Sequence, residues 1–336
     1  MSDQREFLAQ WSQSQGNLRR FLEERVVPPL DDDAQRTAGR AAAAAAAVEE
    51  TFGINIDDFA LGVDSVGGAF ETAGRQKITP PDPEVPQDTE AAAFFDVDNT
   101  LIQGSSLILL AQGLFKKRFI TLSELAPALR KQIRYRVSGS ENADDIAEGR
   151  EQALAIVKGK SVEELKQACR EIVDNRMLEK SYADTIELAS MHLAAGQQVW
   201  LVSATPVQIG QALAETLGFT GALGTVAEEE DGKFTGRLVG DILHGPGKKH
   251  AVAALAALQQ LDLSKCTAYS DSVNDLPMLN MVGSPVAVNP DRALRKHAKA
   301  QGWAVRDYRS LRRVVRAGVV PAVLAAAGLW WWRRRR

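Results

Sequence analysis

The run Ala91-Ala92-Ala93-Phe94-Phe95 constrains the fold more than any other stretch of the chain. Five apolar residues with no alternation read as a strand buried on both faces, and such strands belong to parallel sheets covered by helices. The run opens into Asp96-Val97-Asp98-Asn99-Thr100-Leu101. The two aspartates then stand at the strand's C-terminal end, where open α/β sheets take their ligands. Carboxylates two residues apart can share a hard cation and divide nucleophile and acid/base duties. Taken alone, an Asp-x-Asp pair is better read as a strand leaving the core into an acidic, solvated loop. The decision rests on the remaining chain.

The pattern returns downstream. Gln198–Val202 is a second apolar strand, followed by Ser203-Ala204-Thr205-Pro206 and a helix, Val207–Leu217, that stops at Gly218. A third strand, Cys266–Tyr269, ends in Ser270-Asp271-Ser272-Val273-Asn274-Asp275, and a fourth, Pro285–Val288, closes the sheet. Residues 222–243 read as a β-hairpin turning at Asp231-Gly232, and His244-Gly245-Pro246-Gly247 leads into Lys248-Lys249 and a helix over 250–260. Strands alternating with helices predict an α/β protein with a Rossmann-like, doubly wound parallel sheet. Between the first two strands, residues 105–195 are helical in pattern: Leu107–Phe115, Leu122–Val137, Asp144–Val157, Ser161–Val173 and Tyr182–Ala195. Ser161 with Glu164 starts a helix as a capping box, and Gly196 stands where a C-cap glycine belongs. A helical insert after the first strand is a candidate cap over the site.

Outside this core the chain is less informative. Residues 1–30 carry apolar side chains at helical spacing up to Pro28-Pro29, and Asp31-Asp32-Asp33 can cap a helix over the alanines at 41–47. Residues 52–90 are ambiguous, and 79–88, with four prolines, read as an extended linker. The expected organisation is a helical accessory segment and linker over 1–90, a core over 91–305, and a tail over 306–336. The tail holds nine arginines against one aspartate, so the net charge of −3 hides an acidic body, which argues against nucleic acid as partner. Within it, residues 317–332 are apolar, end in Trp330-Trp331-Trp332 and are flanked by arginines, which predicts membrane contact through 314–336 as an anchor or a surface-lying helix. Two cysteines, Cys169 and Cys266, make neither a disulfide framework nor a zinc site. Without a secretory signal, a cytoplasmic catalytic domain is expected.

Three strand ends thus offer Asp96/Asp98, Ser203 and Asp271/Asp275, with a basic pair at a helix start between the second and third. Carboxylates for a hard cation, a hydroxyl and a lysine suit phosphate chemistry: magnesium shares its oxygen ligands with phosphate, and the phosphoryl oxygens need cationic neutralisation.

The motifs DVDNTL at 96–101, SAT at 203–205, the lysine in GPGKKH at 245–250, and SDSVNDLPML at 270–279 resemble the haloacid dehalogenase superfamily of phosphatases, subfamily IB, the phosphoserine-phosphatase-like branch. The resemblance covers about 91–305. It implies Asp96 as the nucleophile forming an aspartyl-phosphate and Asp98 as general acid/base. It further implies Ser203 and the Ala204 N–H as phosphoryl ligands, with Lys248 stabilising the phosphoryl oxygens and Lys249 as the register alternative. Mg2+ would be held by Asp96, the Asp98 carbonyl and Asp271, with Asp275 orienting metal-bound water and the lysine. Asn274 would contact phosphate, and Thr100 would hold the loop backbone. Asp275 also reads as a plain N-cap for the helix at 276. The four histidines, His192, His244, His250 and His297, form no spaced ligand set and read as surface or loop residues.

The departures bear on substrate. Phosphoserine phosphatases carry a glutamate nine residues after the nucleophile to read the substrate amine, and Ser105 stands there. Their cap Arg-x-Arg-Val is reduced to the single Arg150. The sequence therefore predicts a Mg2+-dependent phosphomonoesterase acting on a small or lipid-linked phosphate monoester. Phosphoserine is the alternative substrate, and a membrane-tethered binding protein with a HAD-like core is the alternative outside the enzymes.

Overall fold

The computed structural model describes residues 32–74, 78–121 and 154–309. The expected helix over 1–30, the cap segments within 122–153 with Arg150, and the tail beyond 309 lie outside these residues. Among the described residues no helix is long and apolar enough to cross a membrane.

Seven strands form one sheet in the order β4-β3-β2-β1-β5-β6-β7. They are β1 (Ala92–Phe95), β2 (Gln198–Pro206), β3 (Gly221–Glu230), β4 (Lys233–Val239), β5 (Thr267–Ser270), β6 (Ser284–Val288) and β7 (Ala304–Arg306). All neighbours pair parallel except β3 with β4, the hairpin whose turn residues Asp231 (φ 49°) and Gly232 (φ 74°) are both left-handed, as a two-residue hairpin loop requires. The sequence read β6 as the last strand. The sheet continues to β7, whose three residues are too short to carry a periodic signal.

β1 is central and buried along its whole length, and its side chains alternate between two cores. Ala93 and Phe95 enter one core with helices α3 (Ser106–Lys116), α4 (Val162–Ile172), α5 (Ala183–Ala194) and α6 (Val207–Leu217). Ala92 and Phe94 enter the other with α2 (Ile56–Thr72), α7 (Pro246–Gln259) and α9 (Arg292–Gln301). An unbroken apolar run is what a strand with two buried faces needs.

The ambiguous stretch 52–90 resolves into two parts. After α1 (Asp32–Phe52), which carries the alanine run, α2 packs along α7. The approach is close enough that a Cβ on Gly62 would stand 2.2 Å from the His250 carbonyl oxygen. Residues 78–90 form no helix or strand, turn at 83–85 and 89–90, and are fastened to the sheet layer by Thr79 N–H to Gly218 O, Asp82 N–H to Ala194 O and Asp88 N–H to Ala195 O. Ser161 caps α4 by accepting the Glu164 N–H, and Gly196 (φ 71°) and Gly218 (φ 70°) close α5 and α6.

Candidate active site

Pairing register brings the polar strand ends to one level. Phe95 stands beside Leu201 of β2 and Tyr269 of β5, so Asp96, Ser203 and Asp271 emerge together at the carboxyl edge. The Asp96 N–H donates to Tyr269 O at 2.9 Å and ties the start of the loop to β5.

The densest contact is a buried lysine between two buried carboxylates. Lys248 Nζ donates to Asp96 Oδ1 at 2.6 Å and to Asp275 Oδ2 at 2.7 Å, with all three side chains under 10% exposed. Pro246 in the first turn of α7 aims this helix start at the sheet edge. Lys249 points away, donating to Gly53 O at 2.8 Å, so the register ambiguity between the two lysines resolves to Lys248 as the one in the cluster. Asp275 sits before α8 (Leu276–Leu279) but makes no side-chain cap bond to it. Its oxygen accepts instead from Lys248 and, at 2.7 Å, from Ser270 Oγ. Ser270, the first residue of the SDSVNDLPML motif, is therefore a fully buried donor into the cluster.

Asp98 is held from the other side. Its Oδ1 accepts the backbone N–H of Ser106 at 2.9 Å and also the Ser106 hydroxyl, so the carboxylate caps α3, the first helix of the candidate cap. Asn99 is left-handed (φ 55°), with its Oδ1 accepting the Gly104 N–H and its carbonyl accepting Asn289 Nδ2 at 2.9 Å. Thr100 was expected to hold this loop. Its hydroxyl is buried without a hydrogen bond, and Asn99 and Asn289 do the holding.

Ser203 is buried, 2.9 Å from Thr205 Oγ1, and accepts the Thr205 N–H. It lies where the β2–β3 register shifts between Val202 and Pro206, which leaves Ala204 exposed. Neither makes a direct bond to Asp96 or Lys248. Asn274 is exposed, with its backbone N–H on Ser272 Oγ and no side-chain bond into the cluster.

The histidines depart from expectation. His192 is half-buried behind β1 and β5, bonded to Tyr269 Oη at 2.8 Å and to Gln197, and burial lowers its pKa. His250 is buried between Asp241 (3.1 Å) and Asp58 (3.8 Å). Single-residue spacing could not show either environment, because Tyr269 for His192 and Asp58 for His250 come from distant elements.

Charge at this edge is unbalanced. Asp96, Asp98, Asp271 and Asp275 face Lys248 and, 3.8 Å from Asp271 Oδ2, the guanidinium of Arg309. Burial raises the Asp96 pKa against the opposing pull of Lys248, and it raises Asp271 to about 7 against Arg309 and a hydrogen bond from Asn99. Lys248 stays charged: burial works against it, and Asp96 and Asp275 more than compensate. Among the described residues no three acidic, histidine or cysteine side chains already converge as a closed metal cage. Magnesium does not ask for one. It takes one or two carboxylates, keeps waters and completes its shell with phosphate. An all-oxygen donor set with surplus negative charge fits that ion.

The family model for haloacid dehalogenase-like hydrolases matches residues 93–280. The chain is 52% identical over 248 residues to phosphoserine phosphatase SerB1 of Mycobacterium tuberculosis (strain ATCC 25618 / H37Rv), covering 74% of this chain and 80% of that protein. It is 33% identical over 221 residues to histidinol-phosphatase of Neisseria meningitidis serogroup C (strain 8013), covering 65% of this chain and 98% of the other. A crystal structure of a protein of unknown function from Bordetella pertussis Tohama I superposes with a TM-score of 0.58 at 30% identity, over 66% of this chain and 99% of that one.

Proposed function

The chain belongs to the haloacid dehalogenase-like hydrolases, and on that premise we propose that it hydrolyses a small phosphate monoester, with Mg2+, through an aspartyl-phosphate on Asp96. The carrying observation is the buried Lys248 bridging Asp96 and Asp275. A cation fixed on one oxygen of a carboxylate at a strand end holds that carboxylate in place and has charge to lend to an incoming phosphoryl group.

In this reading an Asp96 oxygen attacks phosphorus and the ester P–O bond breaks. Asp98, carrying a proton, gives it to the departing alkoxide. Asp98 then takes a proton from water as that water attacks the aspartyl-phosphate, which releases phosphate and restores Asp96. Ser203 and the N–H of Ala204 receive the phosphoryl oxygens, Lys248 neutralises them, and Asn274 is a further candidate phosphate contact. Asp275 and Ser270 keep Lys248 in place. Asp96, the Asp98 carbonyl and Asp271 would hold Mg2+, which when bound withdraws negative charge from the phosphoryl oxygens.

Two relatives are named for phosphoserine and histidinol phosphate, both small phosphate monoesters. Their names favour a small substrate over a lipid-linked one and keep phosphoserine as the second reading. Ser105, in place of an amine-reading acid, opposes phosphoserine. Membrane contact through 314–336 rests on sequence alone. Phosphate release from a panel of monoesters, with and without Mg2+, tests the proposal. Asp96→Asn should abolish turnover, and activity surviving in that variant would sink the aspartyl-phosphate.

A further inference from the structure

Beyond β7 the chain bends back to the active-site edge, and one side chain fastens it there. Asn289 is fully buried and left-handed (φ 47°). Its Nδ2 donates to the Asn99 carbonyl at 2.9 Å, and its Oδ1 accepts the N–H groups of Tyr308 at 2.8 Å and Arg309 at 3.2 Å. Its own N–H donates to Arg306 O at 2.6 Å. The backbone of Arg309 is thereby tied to the loop that carries Asp96 and Asp98.

The guanidinium is in an unusual state. Arg309 Nη2 is shut off from solvent and has no hydrogen-bond acceptor among the described residues. Its nearest anion, Asp271 Oδ2, lies at 3.8 Å, within ion-pair range and beyond hydrogen-bond range. A buried N–H with no acceptor is costly, and here it sits at the active-site edge on a side chain that is 35% exposed, where a ligand oxygen can complete the set. A planar guanidinium is suited to oxyanions in particular.

We infer that Arg309 is a substrate-reading residue whose buried Nη2 donates to an anionic oxygen of the phosphate monoester once a cation has engaged Asp271. The inference rests on the proposed function and extends it to a residue outside the four sequence motifs. A cation on Asp271 satisfies that carboxylate and leaves the guanidinium without a counter-charge. The incoming ester supplies one, so cation and ester favour each other's binding. The oxygen belongs either to the phosphoryl group or to a second anionic group on the leaving group.

The full-length chain with Arg309→Gln and Arg309→Lys tests this. Inorganic phosphate binding is measured by calorimetry with and without Mg2+, and turnover is measured on two esters, one with a neutral leaving group and one whose leaving group carries a carboxylate. Arg309→Gln should raise KM about tenfold, the loss of one charge-assisted hydrogen bond, with kcat within about twofold. Arg309→Lys should recover most of the loss, and melting temperatures should stay level. A rise on both esters, with weaker phosphate binding in Mg2+, puts the oxygen on the phosphoryl group. A rise only on the carboxylate ester puts it on the leaving group. Unchanged KM on both esters with unchanged phosphate affinity overturns the inference, as does Arg309→Lys being as impaired as Arg309→Gln. If the wild-type chain hydrolyses no ester, the phosphatase reading fails, and the phosphate calorimetry still reports on Arg309.

Discussion

Replacing Lys248 by methionine keeps the length of the side chain and removes its charge. Two carboxylates, Asp96 and Asp275, then share a solvent-poor site without the ammonium that held them at 2.6 and 2.7 Å. Breaking a buried pair by removing one partner costs about 3–5 kcal/mol, because the remaining charge has neither water nor a counter-ion. The carboxyl can escape by staying protonated, and burial already pushes Asp96 that way in the intact protein. The sign follows from linkage. Asp96 in the variant would have a folded pKa raised above its unfolded value of roughly 4, so the folded state holds a proton that the unfolded state releases. Wild type carries the same liability, because burial holds its Asp96 at about 8, so the variant should fall below wild type chiefly as pH rises past about 8 toward its own, higher value, at up to about 1.4 kcal/mol per pH unit. Urea melts of both proteins in EDTA, at intervals from about pH 5 to about pH 10, measure it. A loss that is level from pH 5 to about 8 and grows above it, toward about 3 kcal/mol, is expected. A loss independent of pH, or one larger in acid, would mean that Lys248 acts by packing and would refute the charge reasoning. Turnover should fall by roughly 10²–10³, the scale of losing one preorganised electrostatic donor.

Other perturbations probe neighbouring contacts. Gly62→Ala places a methyl 2.2 Å from the His250 carbonyl oxygen, so α2 must lift from α7; a loss of about 1–3 kcal/mol in thermal or urea melts is expected, and a neutral result would show that the helices can slide apart freely. Mg2+ must displace the proton that burial keeps on Asp271 up to about pH 7, so titrations followed by thermal shift should show affinity about tenfold higher at pH 8 than at pH 6. Ser106→Ala removes the hydroxyl donor to Asp98 and leaves the backbone one; kcat should drop several-fold with KM nearly constant, and Ser106→Thr should restore it. Ser270→Gly deletes a buried donor to Asp275 and should cost about 1 kcal/mol of stability by urea melt.

The strands that hold the site were legible because each is a local signal. Phe94 and Phe95 are adjacent and face opposite cores, which only a strand buried on both sides asks of its sequence. The Asp231-Gly232 turn and the caps at Ser161, Gly196 and Gly218 likewise need only a few neighbouring residues to be read. Helix α2 was hidden by its own packing requirement. Gly62, Gly67 and Gly68 depress helix propensity, and Gly62 is there to let α7 come close. Ser270, Ser106 and Asn289 were overlooked for a related reason. A serine or asparagine in a loop looks like turn chemistry, and its weight here comes from its partners: a carboxylate for each serine, and for Asn289 the backbone of Asn99 and of Tyr308 and Arg309. The choice between Lys248 and Lys249 could not be made by spacing, since adjacent helical residues diverge by about 100° and only the tertiary arrangement says which faces the sheet.

The packing of α2 against α7 also sets a timetable. Lys249 meets Gly53 across 196 residues of chain, and Lys248 meets Asp96 across 152. At about 5–20 residues per second, a ribosome takes roughly 10–40 s to make the longer of these spans. Through that interval Phe59, Val66 and Ala69, all destined for the core, lack α7, the helix that α2 packs along, although Phe52 already stacks on Phe59 and β3 arrives before α7 does. The nascent chain therefore carries an incompletely covered apolar helix from the time α2 is made until α7 emerges, a window in which a holding chaperone has a site and in which a pause or truncation between residues 72 and 246 leaves the α7-facing side of the helix open.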